Sequence, residues 1–231
     1  MVDDIVRKQA ADVQNAKEII ARFGDSLPSE VDIAALDVWS KAPYKALVVR
    51  EALIWRTEEL GRVAIECLER HDYAASMILI RSIIENSALV WRLKSILESR
   101  SKNDAAKIHE ILDKMLMGWK GDPEFPEAFN VLTLVDHLDR EVPGVRKSYD
   151  SFSEHAHPNY RGVHGLYAKV DYEKFVTHFG RGIRTENTAK MAISALCGSL
   201  GLFELAYNKI SDIMPVWLSE LSPLSGPRDP D

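Results

Sequence analysis

The segment 74–93, AASMILIRSIIENSALVWRL, wound as a helix, is apolar around nearly its whole circumference, with Arg81 and Glu85 four residues apart in its middle. A helix that is apolar on every side is buried among others, so the rest of the chain must supply several packing partners for it. Positions 77, 81, 85, 88 and 92 form one stripe that reads Met, Arg, Glu, Ala, Arg, because residues three and four apart share a helix face. Ile80, Ile83, Ile84, Leu89 and Val90 crowd that stripe, so at least one of the two charges is expected to be desolvated. Removing one partner of a buried pair costs about 3–5 kcal/mol, whereas an apolar replacement of both can be neutral or stabilising. A buried pair at this place therefore points to a task beyond stability. The competing readings are a surface pair on a modest polar stripe, and a structural pair bridged to Glu204 of the last helix.

The partners are legible as further helices. Val6, Ala10, Val13 and Ile20 recur at helical spacing, with Asp3 or Asp4 as cap and Gly24 as stop. A short helix is predicted over 29–40, with Ser29 capping. Pro43 then opens a run with a period near 3.6 that lasts about 27 residues, or roughly 40 Å. His71 and Asp72 break it, and a connection so short makes the next helix, 73–99, antiparallel to it. Further helices are predicted over 102–119, from Pro126 to 140, and from 187 to 213, where Pro215 should stop the last. Between 165 and 180 the helical period disappears. Two short alternating runs, 166–170 and 175–179, suggest a small β-hairpin or an irregular excursion. The expected architecture is an all-α antiparallel bundle over 41–221, preceded by a helical extension over 1–40 and followed by a disordered tail over 222–231.

A net charge of −6 gives no overall positive field for a phosphate backbone, although a local basic groove is compatible with it. Cys67 and Cys197 sit in apolar helical patterns, which favours buried thiols in a reducing compartment. The N-terminal residues lack the apolar core of a signal peptide, and MAISALCGSLGLFELAY is interrupted by Ser194, Gly198, Ser199, Gly201 and Glu204. A cytoplasmic protein with no membrane partner is the expectation. No Walker loop, dinucleotide fingerprint or cysteine-based zinc pattern is present, so no cofactor is expected.

The second unusual segment, SFSEHAHPNYRGVHG, holds His155, His157 and His164. Pro158 disfavours helix at His157, which combines a helix end with a tight turn, a common place for reactive side chains. Ser153 and His157 share a face if the helix reaches that far. Glu154 and His157 have the Glu-x-x-His spacing of a di-iron site, but that chemistry needs a second such motif, and the chain has none. No metal site is expected. Gly198 and Gly201 read as close-packing positions, and Arg181 with Arg184 as a solvated connector that would otherwise hold an anion at a helix start.

Together, LIRSIIENSALVWRL and SFSEHAHPNYRG resemble the two signature segments of a bacterial all-helical family of unknown function that is grouped with HEPN-like bundles. The matching residues are Arg81 and Glu85 in one segment and Ser153, His157, Pro158 and Asn159 in the other, within a resemblance covering 43–213. The resemblance implies a bundle in which the second segment packs on the first and brings His157 near Arg81 and Glu85. HEPN-like proteins include metal-independent ribonucleases of toxin and phage-defence systems, whose motif is an arginine followed after four to six residues by histidine. No arginine of this chain has a histidine at that spacing.

The expectation that follows is a polar pocket in which Arg81 holds an anionic group, Glu85 fixes the arginine and His157 exchanges a proton, with Ser153, Asn159 and Arg161 contacting the ligand. The alternatives are a ribonuclease acting on RNA through the same residues, and a dimerisation module in which the cluster is architectural. A homo-oligomer is expected in each case.

Overall fold

In the computed structural model of this chain, residues 2–100, 104–183 and 185–222 are described, with side chains from residue 11 onward in those ranges apart from 185 and 186. Among the described residues, the chain forms α1 (Val2–Asp25), α2 (Ala42–Glu69), α3 (Tyr73–Glu98), α4 (Ala105–Met117), α5 (Val131–Glu141), α6 (Val145–Ala156), α7 (His164–Tyr167) and α8 (Thr185–Leu221), with β1 (Ala168–Asp171) and β2 (Val176–Phe179) between the last two helices. The protein is mostly helical, with one small antiparallel hairpin.

The all-round apolar helix is α3, and it packs against α2, α5, α6 and α8. Ile80, Ile83, Leu93 and Leu97 on different sides of it are fully buried, against Ile54 of α2, Phe152 of α6 and Leu196, Leu200 and Phe203 of α8. The reversal between α2 and α3 is made by His71, which takes the left-handed conformation at φ 61°, while the Asp72 amide donates to the Cys67 carbonyl at 2.8 Å. Helix α1 covers α2 and α8, with Ala16, Ile19, Ile20 and Phe23 buried. Gly61 of α2 permits that approach, since a Cβ there would lie 2.3 Å from the Ile20 Cδ1 atom. By length and composition alone, α3 and the 187–221 part of α8 could each cross a membrane, but here they pack on one another as the centre of the bundle.

Four boundaries differ from the sequence reading. Over 29–40 only Ala34–Leu36 forms a single 3-10 turn; it buries no residue, so no packing supports a longer helix. Ser29 does not cap it; the turn's N-cap is Ile33, and the Asp32 carboxylate before it accepts from the Ala34 amide at 2.8 Å. Helix α4 starts after Asp104, whose side chain accepts from the Ala106 amide, while residues 101–103 lie outside the described residues. Pro126 does not open α5. Its carbonyl accepts from the Trp119 amide at 2.9 Å in a short bridge, and Asn130 caps the helix by accepting from Leu132. Finally, α8 runs through Pro215 to Leu221. An internal proline costs about 3 kcal/mol, but burial of a large apolar side chain returns about 1.5–3 kcal/mol. Met214 and Trp217, on either side of the proline, are both buried and carry the helix past it. Of the predicted tail, residues 223–231 lie outside the described residues.

The hairpin pairs Ala168 with Phe179 and Asp171 with Val176. Its turn ends on Phe175, a bulky residue at φ 56° with 92% of its surface exposed. Left-handed backbone costs a side-chain-bearing residue about 1–2 kcal/mol, and an exposed ring recovers none of it by packing. Phe175→Gly is therefore expected to raise the unfolding free energy in urea by roughly 1 kcal/mol, and a loss of stability would show that the ring has a packing role.

Candidate functional site

Arg81 and Glu85 lie one helical turn apart on α3, on the side that meets α6. The structure adds a third group that binds both: Tyr149 of α6. Arg81 Nη2 donates to the Tyr149 hydroxyl at 2.7 Å, the hydroxyl donates to Glu85 Oε1 at 3.0 Å, and Arg81 Nη2 lies 3.2 Å from the same carboxylate oxygen. The guanidinium carbon also sits 5.0 Å from the centre of the Tyr149 ring. The pair is only partly desolvated, with side-chain exposures of 34% for Arg81 and 25% for Glu85. Glu204 takes no part. It accepts two hydrogen bonds from Arg22 of α1, at 2.7 and 2.9 Å.

Arg81 borders a cleft of about 710 Å³ between α3, α6 and the connection from α4 to α5, together with Lys120, Glu127, Arg146, Asp150, Ser153 and His157. That size suits a small-molecule site, for which roughly 300–1,000 Å³ is usual. Tyr149, Ser153 and His157 recur every four residues, so α6 turns all three toward it. The helix ends at Ala156, and His157 is extended at φ −88° and ψ 150°, as a residue before proline should be. The following turn packs on that end. A Cβ at Gly162 would lie 2.0 Å from the His157 carbonyl oxygen, so only glycine lets the chain pass there.

Cationic groups outnumber carboxylates on the cleft wall, Arg81, Lys120 and Arg146 against Glu127 and Asp150, in a protein of net charge −6. Arg146 donates to Asp136 at 2.6 Å and to Asp150 at 2.9 Å, and these bonds, Asp136 first, hold its guanidinium above its ordinary range. Lys120 has no ion-pair partner among the described residues. Beside the cleft, the buried Nε of Arg81 and Oγ of Ser153 make no hydrogen bond. Each such group costs about 1–3 kcal/mol until something satisfies it.

The remaining candidates fall elsewhere. Glu85 borders an adjoining cavity of about 230 Å³ beside Lys114 and Phe129. The Asn159 side chain is spent inside the turn, accepting from the Arg161 and Gly162 amides at 2.9 and 3.0 Å and donating to Glu154 at 2.8 Å. Arg161 is exposed and does not border the cleft. Among the described residues, no three His, Cys, Asp or Glu side chains gather as a metal cage. Arg181 donates to Asp72 at 3.2 Å, and Arg184 lies outside the described residues. Both cysteines are free thiols; Cys67 is buried and Cys197 half-buried.

Among the described residues, a more deeply buried pair of opposite charges lies on α2. Arg50 and Glu51 are each 9% exposed and are bonded to one another. Arg50 also donates to the Tyr207 carbonyl and to Ser211 Oγ of α8 and stacks on the Tyr207 ring, while the Tyr207 hydroxyl donates to Glu51 at 2.6 Å. Burial and then the bond to Glu51 push the Tyr207 phenol well above its usual range. Two adjacent charges in VVREALIW carried the same signal as Arg81 and Glu85, and Tyr149 was legible from its four-residue spacing to Ser153.

Comparison with family models, with curated proteins and with solved structures finds no match, so the chemistry of the site carries the functional reading.

The two charge pairs should separate in stability. Glu51→Gln leaves Arg50 buried without its counter-charge and is expected to cost about 3 kcal/mol or more in urea unfolding. Glu85→Gln, in a half-exposed pair, is expected to cost about 1 kcal/mol or less. Equal losses would contradict the assignment of the structural role to α2.

Proposed function

We propose that this chain is a HEPN-like cytoplasmic protein whose cleft between α3 and α6 binds a small anionic ligand bearing a phosphate or carboxylate. The observation that carries the reading is the anchoring of Arg81. Tyr149 and Glu85 hold its guanidinium at the wall of a cleft lined by three cations and two carboxylates, and its buried Nε–H has no partner. A guanidinium fixed in advance loses little freedom on binding, and its charge-assisted bonds to an oxyanion are about twice as strong as neutral ones. Lys120 adds a cation unpaired among the described residues, while Ser153 and His157 border the cleft on the α6 side with a hydroxyl and an imidazole. Glu85 and Tyr149 act through Arg81 as positioning residues.

A second reading, a metal-independent ribonuclease, draws on His157 bordering the same cleft as Arg81 and Lys120. Histidine is the commonest general acid or base, and the cations would stabilise charge on a reacting phosphate. One set of proteins tests both readings. Titration calorimetry with inorganic phosphate and a nucleoside monophosphate is expected to show saturable binding that Arg81→Ala weakens about tenfold or more, equivalent to about 1.4 kcal/mol. Arg81→Lys should restore it only in part. Binding indifferent to Arg81, or none, would overturn the proposal. Cleavage of RNA in the presence of a chelator, lost in His157→Ala, would replace it with the nuclease reading.

A further inference from the structure

Helices α6 and α8 both pack on α3, and the gap between them is a second concavity, a groove of about 550 Å³. It shares α6 with the Arg81 cleft but none of the cleft's lining residues. Ile84 and Phe152, both buried, line it together with Val145, Met191 and Leu202, and Leu138 closes the end beneath the α5–α6 turn. That turn is held by Asp139, which accepts from the Gly144 and Arg146 amides at 2.9 Å.

The deepest polar groups of the groove are already bonded. Its two most buried serines are Ser87, 1% exposed, and Ser199, 5% exposed. Ser87 Oγ donates toward the Ile83 and Ser199 carbonyls, and Ser199 Oγ toward those of Ala195 and Leu196. Both hydroxyls are thereby committed to backbone. Lys147 is the only charged residue on the lining, and it is exposed and without an ion-pair partner among the described residues.

Gly198 supplies an independent observation. It lies inside α8, where glycine costs about 1 kcal/mol relative to alanine. Close packing does not require it, because a Cβ there would meet no atom within 4 Å. This reverses the expectation that Gly198 and Gly201 are close-packing positions, since the same holds for Gly201. Gly198, unlike Gly201, borders the groove, so a side chain there would extend into open space beside it.

We propose that this groove binds a medium-chain fatty acid, with the alkyl chain between α6 and α8 and the carboxylate paired with Lys147. The wall is apolar apart from serines, Ser148, Ser151 and Ser194 besides the two buried ones, and carries one cation, which complements a linear tail with a single anionic head. A docked helix fits less well, because a helix with its side chains is roughly 10–12 Å across and two turns of it would overfill the space.

The test is calorimetric titration of the full chain with decanoate, with decanol as the uncharged control. Saturable decanoate binding is expected, at least tenfold tighter than decanol. Gly198→Leu should abolish it while holding or raising the unfolding temperature, because leucine fills the groove and favours helix. Lys147→Glu, a change at an exposed position, should weaken decanoate at least tenfold and leave decanol unchanged. Absence of saturable binding, or decanoate affinity unaltered in Gly198→Leu, would overturn the site. Equal affinity for decanol and decanoate, or indifference to Lys147→Glu, would overturn the assignment of the ligand as a carboxylate.

Discussion

Everything in this fold is arranged around the need to cover α3 on all sides. Four helices, α2, α5, α6 and α8, meet it, and several of the polar residues along its length are accommodated by specific neighbours, whereas the buried Ser76 hydroxyl makes no hydrogen bond. Asn86 donates to Thr57 of α2 and accepts from Arg56, and Ser87 reaches the Ser199 carbonyl of α8. Lys94 lies near Glu98 and Glu141 and over the Trp91 ring. Arg81 and Glu85 are the exception in kind. Their neighbour, Tyr149, binds the guanidinium where Arg81 borders a gap between helices. The charges sit in an apolar helix because that stretch of it meets a cleft.

The same helix explains why α6 carries two sites of opposite character. Tyr149 and Ser153, with His157 just past the helix end, border the Arg81 cleft, while Phe152 and Lys147 border the apolar groove against α8. Twelve residues of helix suffice for this, because a period of 3.6 sends neighbouring positions to different sides.

Where apolar periodicity alone decides, the sequence is informative: α2 and α3 begin and end within about a residue of expectation, and the hairpin forms from the two alternating runs. The His157 helix end follows from Pro158 by local sterics. Boundaries set by tertiary contacts were not legible. Pro215 reads as a stop, and only the burial of Trp217 by distant parts of the chain overrides it. Pro126 reads as a start, and the hydrogen bond its carbonyl accepts from Trp119, beside the Trp119–Glu127 bridge, is a pairing no local pattern reveals. The site shows the same division. The spacing of Ser153 and His157 gives their common face, whereas Asn159 looks like a ligand contact until the Arg161 and Gly162 amides are seen to occupy it. Nor could spacing tell which charge pair is desolvated, since burial of Arg50 and Glu51 depends on Tyr207, more than 150 residues away.

The central claim is that the Arg81 guanidinium is held in place before an anion arrives and then receives it. Nitrogen-15 NMR of the arginine Nε–H groups during a phosphate titration tests this directly. The account predicts a sharp, slowly exchanging Arg81 signal in the free protein that shifts saturably with phosphate, and that broadens and loses its response in Tyr149→Phe. An Arg81 signal that is averaged in the free protein, or that stays still while phosphate binds elsewhere, would contradict it.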